Sequence, residues 1–259
     1  YREMETALRH IGDVNSQWFP YALVMLLGIR KGLARNDRER GAYREIEAKF
    51  TPLAAQVPFE AGLLHHYGHA VSKRAVRDVR GSYRYSLMLV RQMERKPDLM
   101  HEHLRRYIAA VFSLCASCRY LGRTDEFWQH LARLVSLEQN EVLLSWDERT
   151  QLFRCRYQLE IDMCIHLQLW ERGLEVAGKA EQGMKLHAAR LDRADRAFFS
   201  FALASVYFSV RDFQRSLFHL NSILNDPDTG VREDIHCAAR ILNLITHYEI
   251  GNYELLDYA

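Results

Sequence analysis

Two pairs of residues in this chain have the side chains and the spacing to do chemistry. His65 and His69 are four residues apart in His65-His66-Tyr67-Gly68-His69, the separation at which two zinc ligands share one face of a helix. Cys115 and Cys118 have the interval of redox and zinc motifs. A metal centre would need a third ligand beside the histidines, or a second ligand pair beside the cysteines.

The surrounding sequence supplies neither of these partners. In the zinc-protease motif a Glu follows the first histidine, but His66 occupies that position here. Cys115 and Cys118 lie near the predicted C-terminal end of an apolar helix, whereas a reactive thiol is typical of a helix N-terminus. We therefore interpret the cysteines as packing residues and expect no metal and no other cofactor. A metal site or an enzyme around His65 and His69 is the weaker alternative.

No other reaction signature is visible. The sequence has no phosphate-binding loop, no dinucleotide-binding motif and no nucleophile elbow, so we expect a protein that is not an enzyme. The most apolar run, Tyr21–Ile29, is too short to span a bilayer, and no signal peptide is visible. These features favour a cytoplasmic protein without a membrane partner. Because the chain begins without an initiating Met, we expect it to be a piece of a longer protein.

The elements that must position these residues follow from a repeat. Aromatic residues recur at intervals of 42, 40, 44, 43, 43 and 40 residues, at Tyr1, Tyr43, Tyr83, Phe127, Trp170, Phe213 and Tyr253. The positions seven and ten residues after the first six are all apolar, as on one face of a helix. Longer apolar-periodic segments lie between them, at Trp18–Arg35, Phe59–Val79, Leu99–Leu121, Trp146–Leu169, Ala194–Val210 and Val231–Ile250. We expect each segment to form the first helix of a hairpin and each aromatic to open the second.

Turn residues agree with this division. Asn36-Asp37, Gly81-Ser82 and Gly122-Arg123-Thr124 precede landmark aromatics, while Pro52 and Pro58 fall where one hairpin passes to the next. No alternating strand pattern is visible. The sequence therefore predicts an all-α chain, with residues 1–259 forming a single array of about six helix-turn-helix hairpins and a period of about 42 residues.

One segment carries a family resemblance. The run from Leu203-Ala204-Ser205-Val206-Tyr207 through Asp212-Phe213 to Ser216, Leu220 and Ile223 resembles a tetratricopeptide repeat (TPR). Elsewhere the match is partial. The spacing of the repeats in this chain is longer than the family's period of 34 residues, and His130 stands at the repeat position where Ser216 supplies a small residue. The chain thus resembles a divergent TPR-like array, and the resemblance implies a right-handed superhelical solenoid.

The resemblance also implies a binding surface. In TPR proteins the first helices line a concave groove that holds extended peptides or a partner's helix. The family's groove positions, transferred by their offset from the landmark aromatics, fall on Lys31, Arg35, Arg119, Arg123, Gln158, Asp162, His166, Phe198, Phe201, Ser205 and Phe208. The groove would be basic toward the N-terminus and aromatic toward the C-terminus, which fits a peptide with acidic residues and an apolar anchor.

The distribution of charge supports a basic surface. The net charge of +2 conceals 19 Lys/Arg against 12 Asp/Glu in residues 1–106, and 16 against 21 in residues 107–259. Arg outnumbers Lys by 29 to 6, and the planar guanidinium pairs well with carboxylates and phosphates. Lys73, Arg77, Arg80 and Arg84 recur at helical spacing, a pattern equally typical of a solvated helix face.

These features lead to a ranked set of functions. We expect a protein-interaction scaffold that binds a peptide or protein segment in the concave groove. The alternative is a regulatory nucleic-acid-associated protein whose basic N-terminal hairpins contact phosphates. The near-zero net charge and the lack of a helix-turn-helix or other reading module count against that alternative.

Overall fold

The computed structural model describes residues 2–31, 33–53, 57–139, 144–226 and 232–253. All regular secondary structure in these ranges is helical, and no strand occurs in them. The prediction of an all-α chain is therefore confirmed. None of the helices described combines the length and apolarity needed to cross a membrane.

The chain divides into two compact units, residues 1–137 (unit 1) and 138–259 (unit 2), and each is described by itself. The helices of unit 1 are α1 Arg2–Lys31, α2 Asp37–Glu47, α3 Phe59–Ala75, α4 Val79–Glu94, α5 Pro97–Glu102, α6 Leu104–Tyr120 and α7 Thr124–Glu138. The helices of unit 2 are α8 Trp146–His166, α9 Trp170–Leu186, α10 Arg193–Ser209, α11 Phe213–Leu224 and α12 Glu233–Glu249. The single array of about six hairpins stays a prediction.

Unit 1 is held by contacts between helices that are close in sequence. Helix α3 packs against α1, α2 and α4, and α4 packs in turn against α6. Val24, Phe50 and Val71 form one buried cluster, while Tyr43 packs with Ala34 and Ala75 in another. Each helix therefore covers the apolar face of a near neighbour, as expected for hairpins that cannot bury that face alone.

Unit 2 has an aromatic core. Helices α8, α9 and α10 pack together around Phe153, Phe199 and Tyr207, and the Phe153 and Phe199 rings stack with centroids 5.3 Å apart. Helices α10, α11 and α12 enclose a second cluster that contains Leu220 and Ile235. The TPR-like positions Leu203, Ala204, Tyr207, Ser216 and Leu220 are all buried within these contacts.

The landmark aromatics have different environments. Tyr43 and Phe127 are fully buried, and Tyr83, Trp170 and Phe213 are half-buried. Tyr253 is 59% exposed. Tyr1 lies outside the described residues. Trp170 and Phe213 begin their helices, whereas α2, α4 and α7 start before Tyr43, Tyr83 and Phe127.

Three predicted boundaries were wrong. Helix α1 continues through the expected break before Trp18. The hydrogen-bonding capacity of the Ser16 hydroxyl is met inside the helix, because Ser16 Oγ donates to the Asp13 carbonyl. The expected helix Leu99–Leu121 is divided at His103 into α5 and α6. Gly81-Ser82 lies within α4 rather than before it, because Asp78 caps that helix by accepting a hydrogen bond from the Gly81 N–H at 2.9 Å.

Candidate ligand-binding cleft

Three of the four basic groove positions predicted in unit 1 make separate local contacts. Arg35 is exposed between α1 and α2, and its backbone N–H donates to Glu39 Oε2 at 2.9 Å. Arg119 lies over the Tyr120 ring, 4.4 Å from its centroid. Arg123 lies 4.4 Å from the Tyr83 ring centroid and pairs with Glu126 at 3.1 Å. Lys31 is the last residue of α1, and its side chain is not among those that the structure describes.

The predicted positions in unit 2 lie on two helices. Gln158, Asp162 and His166 follow one another at intervals of four on α8, and only His166 is exposed. The structure thus places these three on one face of the helix. Their side chains offer an amide, a carboxylate and an imidazole, which gives that face no single charge.

The predicted aromatic positions on α10 take part in packing. Phe198 and Phe201 are half-buried against the cluster around Ala204, and Phe208 lies 5.7 Å from the Phe213 ring. Ser205 Oγ donates to the Phe201 carbonyl at 2.9 Å. The rings are therefore partly packed into the core of unit 2, and their role as groove positions stays a prediction.

A cleft of about 650 Å³ in unit 1 combines an apolar wall with positive charge. Its apolar wall consists of Val57, Phe59 and Met88. Phe59 begins α3 directly after Pro58 and is buried, while Met88 on α4 is exposed. The volume lies within the range of pockets that hold a small ligand or a few residues of a peptide.

Three cations line the same cleft. Arg91 and Arg95 are four residues apart at the end of α4, on the same side of the helix, and Lys96 follows. Lys96 Nζ lies 5.6 Å from the centroid of the Phe59 ring. Within the described residues no carboxylate forms an ion pair with any of the three. Cations at a helix C-terminus are favoured by the helix dipole, which helps to hold them together without an acidic partner.

Two buried polar atoms of the cleft residues have no hydrogen-bond partner in the described structure. They are Gln92 Oε1 and His66 Nδ1. Gln92 Nε2 donates to the Phe59 carbonyl at 2.9 Å, and Gly62 makes room for that amide, because a Cβ there would meet Gln92 Nε2 at 2.6 Å. An unsatisfied buried polar group costs about 1–3 kcal/mol, which a polar ligand would recover.

A histidine cluster lies behind His66. The His65 and His69 rings are 4.4 Å apart, and His69 stacks on Tyr85 at 4.5 Å. Burial, reinforced by the charge of His69, lowers the pKa of His65 and of His66 to about 4. Both rings are therefore neutral at pH 7, so His66 can either donate or accept a hydrogen bond.

Glu47 completes this cluster. Its carboxylate takes part in hydrogen bonds with His69 at 3.0 Å and Lys73 at 2.7 Å. Burial raises the pKa of Glu47, but the hydrogen bonds from His69 and Lys73 outweigh it and lower the pKa to about 2. His65 Nδ1 lies 3.1 Å from Gln17 Oε1. These contacts explain the histidine pair as a buried polar network, and the structure supplies it with partners from α1 and α2 that the local sequence pattern did not show.

The sequence interpretation missed the cleft because it transferred groove positions from first helices, whereas the cleft residues Met88, Arg91 and Arg95 lie on α4. The sequence did contain a signal for this cleft. These residues follow one face of α4, and the segment 91–96 contains three cations.

Comparison of the chain with models of protein families, with curated proteins and with solved structures found no match.

Proposed function

We propose that this protein is an interaction module that binds an acidic peptide segment with an apolar anchor, and that the cleft of unit 1 is its binding site. It acts by binding rather than by catalysis. The observation that carries the proposal is the group of three cations, free of ion pairs in the described structure, beside an apolar wall. The TPR-like repeat pattern supports it, because such arrays present rigid surfaces to peptides.

The charges fit an acidic ligand in a specific way. Arg91 and Arg95 can each form paired hydrogen bonds with a carboxylate, and Lys96 adds a third positive charge. An apolar side chain of the peptide would cover Met88 and Phe59, whose contact with water is then removed.

Fluorescence anisotropy tests the proposal. The probes are a labelled peptide in which Asp and Glu flank one Leu, and a matched peptide with Asn and Gln in place of the acids. We expect the acidic peptide to bind at least about tenfold more tightly, and Arg95→Glu to abolish that preference. Arg84→Glu is the matched control, since Arg84 is exposed on the same helix and does not line the cleft.

A second variant separates the cleft from the groove predicted by offset. Arg119→Glu changes a predicted groove position and should leave the affinity for the acidic peptide unchanged. If Arg119→Glu weakens binding and Arg95→Glu does not, the ligand lies in the predicted groove and the cleft is the wrong site. Equal affinity of wild type for the two peptides would overturn the proposal.

Oligonucleotides test the alternative function. Single-stranded and duplex probes should bind weakly at physiological salt. Tight binding that falls steeply with salt, and that Arg95→Glu and Arg84→Glu weaken alike, would instead favour phosphate contacts by the whole basic surface.

A further inference from the structure

Three potential metal ligands of different chemistry meet at the contact of α6 and α7. They are Cys118 near the end of α6, and Glu126 and His130, which are four residues apart on α7. The Cys118 thiol, a Glu126 carboxylate oxygen and a ring nitrogen of His130 all lie within 4.8 Å of one another. Among the described residues, this is where three such donors come together.

His130 supplies a second and independent observation. It is 7% exposed, and its Nε2 has no hydrogen-bond partner in the described structure. Its Nδ1 is in contact with Arg133, so Nε2 is the nitrogen left for another partner. A buried polar atom without a partner is costly, and a metal ion would satisfy Nε2 once the ring proton lies on Nδ1.

The repeat shows that this arrangement replaces ordinary packing. The landmark aromatics Phe127 and Phe213 are 86 residues apart. At the same offset, Cys118 corresponds to Ala204, Glu126 to Asp212 and His130 to Ser216. In unit 2 the corresponding contact is made by small residues, with Ser216 Oγ donating to the Ala204 carbonyl at 3.0 Å. An imidazole and a thiol are therefore larger and more reactive than packing at this position requires.

From this geometry we propose that Cys118, Glu126 and His130 bind a divalent zinc ion that links α6 to α7. Thiolate and imidazole ligands favour zinc over magnesium or calcium, which prefer oxygen. Zinc bonds of about 2.0–2.3 Å place ligand atoms about 3.3–3.8 Å apart in a tetrahedron, so the donors need to approach by only about 1 Å. Three protein ligands leave the fourth position to water, and the Cys118 thiol releases its proton to solvent when the zinc–sulfur bond forms.

Two neighbours of the site hold Glu126 in position. Tyr83 donates to Glu126 Oε2 at 2.5 Å, and Arg123 donates to Glu126 Oε1 at 3.1 Å. Such contacts hold a ligating carboxylate in position. Coordination through Nε2 puts the ring proton on Nδ1, so Arg133 Nη1 must turn away. Arg133 Nε already donates to Glu94 at 2.7 Å, which keeps the guanidinium nearby.

Metal titration of the purified chain tests this site. After removal of metal with a chelator, Zn²⁺ and Co²⁺ are added in turn. We expect one equivalent of either ion to bind, and the Co²⁺ form to show the near-ultraviolet charge-transfer absorption of a cobalt–thiolate bond. Cys118→Ala and His130→Asn should each weaken binding by more than the 10–100-fold typical of losing an outer partner.

Two controls match these variants. Cys115→Ala changes a thiol of the same helix that is as fully buried as Cys118, and it should leave affinity and spectrum unchanged. His69→Gln changes the histidine pair in α3 and should also have no effect. If either control variant loses metal binding while Cys118→Ala retains it, the proposal is overturned.

Wild-type measurements keep the test decisive if a variant does not fold. Absence of stoichiometric binding by wild type, or Co²⁺ binding without a thiolate band, would overturn the site. Glu126→Gln alters a half-buried ligand and should weaken binding while the circular dichroism spectrum is retained. Bound Zn²⁺ should also slow alkylation of Cys118, measured by mass spectrometry of its peptide, without slowing that of Cys164.

Discussion

The two units carry net charges of opposite sign. Unit 1 has 22 Lys/Arg and 14 Asp/Glu, a net charge of +8, and unit 2 has the remaining 13 and 19, a net charge of −6. In unit 2 Glu160 lies between Arg156 and Arg172, and Arg154 pairs with Asp195 at 3.1 Å. In unit 1 the cations of the cleft have no such partner among the described residues.

The cavities show the same difference. The cleft of unit 1 has about 650 Å³ and no carboxylate among its described lining residues, whereas a cavity in unit 2 has about 250 Å³ and is lined by Glu138 as well as Arg149 and Lys179. Charges that are matched within a unit stabilise its fold, and charges left unmatched are available to a ligand. The cations of the unit 1 cleft thus have no carboxylate among the described lining residues, whereas those of the unit 2 cavity have Glu138 beside them.

The largest expected effect tests the aromatic core of unit 2. Phe199 is fully buried and stacks on Phe153, so Phe199→Ala should lower the free energy of unfolding by about 3–5 kcal/mol. Phe218→Ala is the control, because that ring is 71% exposed and should cost much less. Urea unfolding followed by circular dichroism measures both. Equal losses would contradict the core described for unit 2.

The second prediction compares a cation of each unit. Arg156 pairs with Glu138 and Glu160, and Arg156→Ala leaves the buried Glu160 with Arg172 alone. We expect a loss of about 1–3 kcal/mol in the free energy of unfolding, below the usual cost of breaking a buried pair because one partner remains. Arg95→Ala should change stability by less than about 0.5 kcal/mol while weakening peptide binding. If Arg95→Ala destabilises the fold as much as Arg156→Ala, the contrast between the units fails.

The third prediction concerns two glycines on α9. A Cβ at Gly183 would overlap the Phe153 ring, so Gly183→Ala should destabilise unit 2 by about 1–3 kcal/mol. Gly178 has open space around it, and Gly178→Ala should stabilise the helix by up to about 1 kcal/mol. Gly68→Ala, against Phe50 in unit 1, should resemble Gly183→Ala. Tolerance at Gly183 together with a loss at Gly68 would show that unit 2 is the less tightly packed unit.

The smallest expected effect is the pH dependence that His65 and His66 give to unit 1. His65 and His66 have pKa values lowered from 6.5 to about 4, so between these pH values the unfolded chain binds more protons than the folded one. The stability they contribute is complete above pH 6.5 and falls as the pH drops toward 4, by about 1 kcal/mol since both rings are partly exposed. Thermal unfolding at several pH values measures this loss.

A double variant identifies its source. His65→Gln with His66→Gln should flatten the pH dependence in this window, whereas His10→Gln, at an exposed histidine, should not. Below pH 4.5 a further loss should remain in the double variant. Glu47 of the unfolded chain then takes up a proton, while the folded carboxylate, whose pKa is lowered to about 2, stays ionised, so its contribution to stability is lost progressively between pH 4.5 and about 2. An unchanged slope in the double variant would assign the pH dependence to other groups.

Much of the fold could be predicted because the apolar period is local. Helical spacing identified most helices, and Pro52 and Pro58 mark the interval between α2 and α3. The missed boundaries have local causes that a pattern does not resolve. The Ser16 hydroxyl makes its hydrogen bond within α1, and His103 divides into two helices the segment that the sequence showed as one apolar run.

Composition and spacing by themselves determined an all-helical chain with a recurring aromatic position and an excess of arginine in its N-terminal part. Only the tertiary structure decided which side chains meet. It brought Met88 and Arg91 together with Phe59 in a cleft, and it placed Cys118 within reach of Glu126 and His130. The physical reason is that helical periodicity fixes the face on which a residue lies, whereas a binding site depends on which face of another helix packs opposite to it.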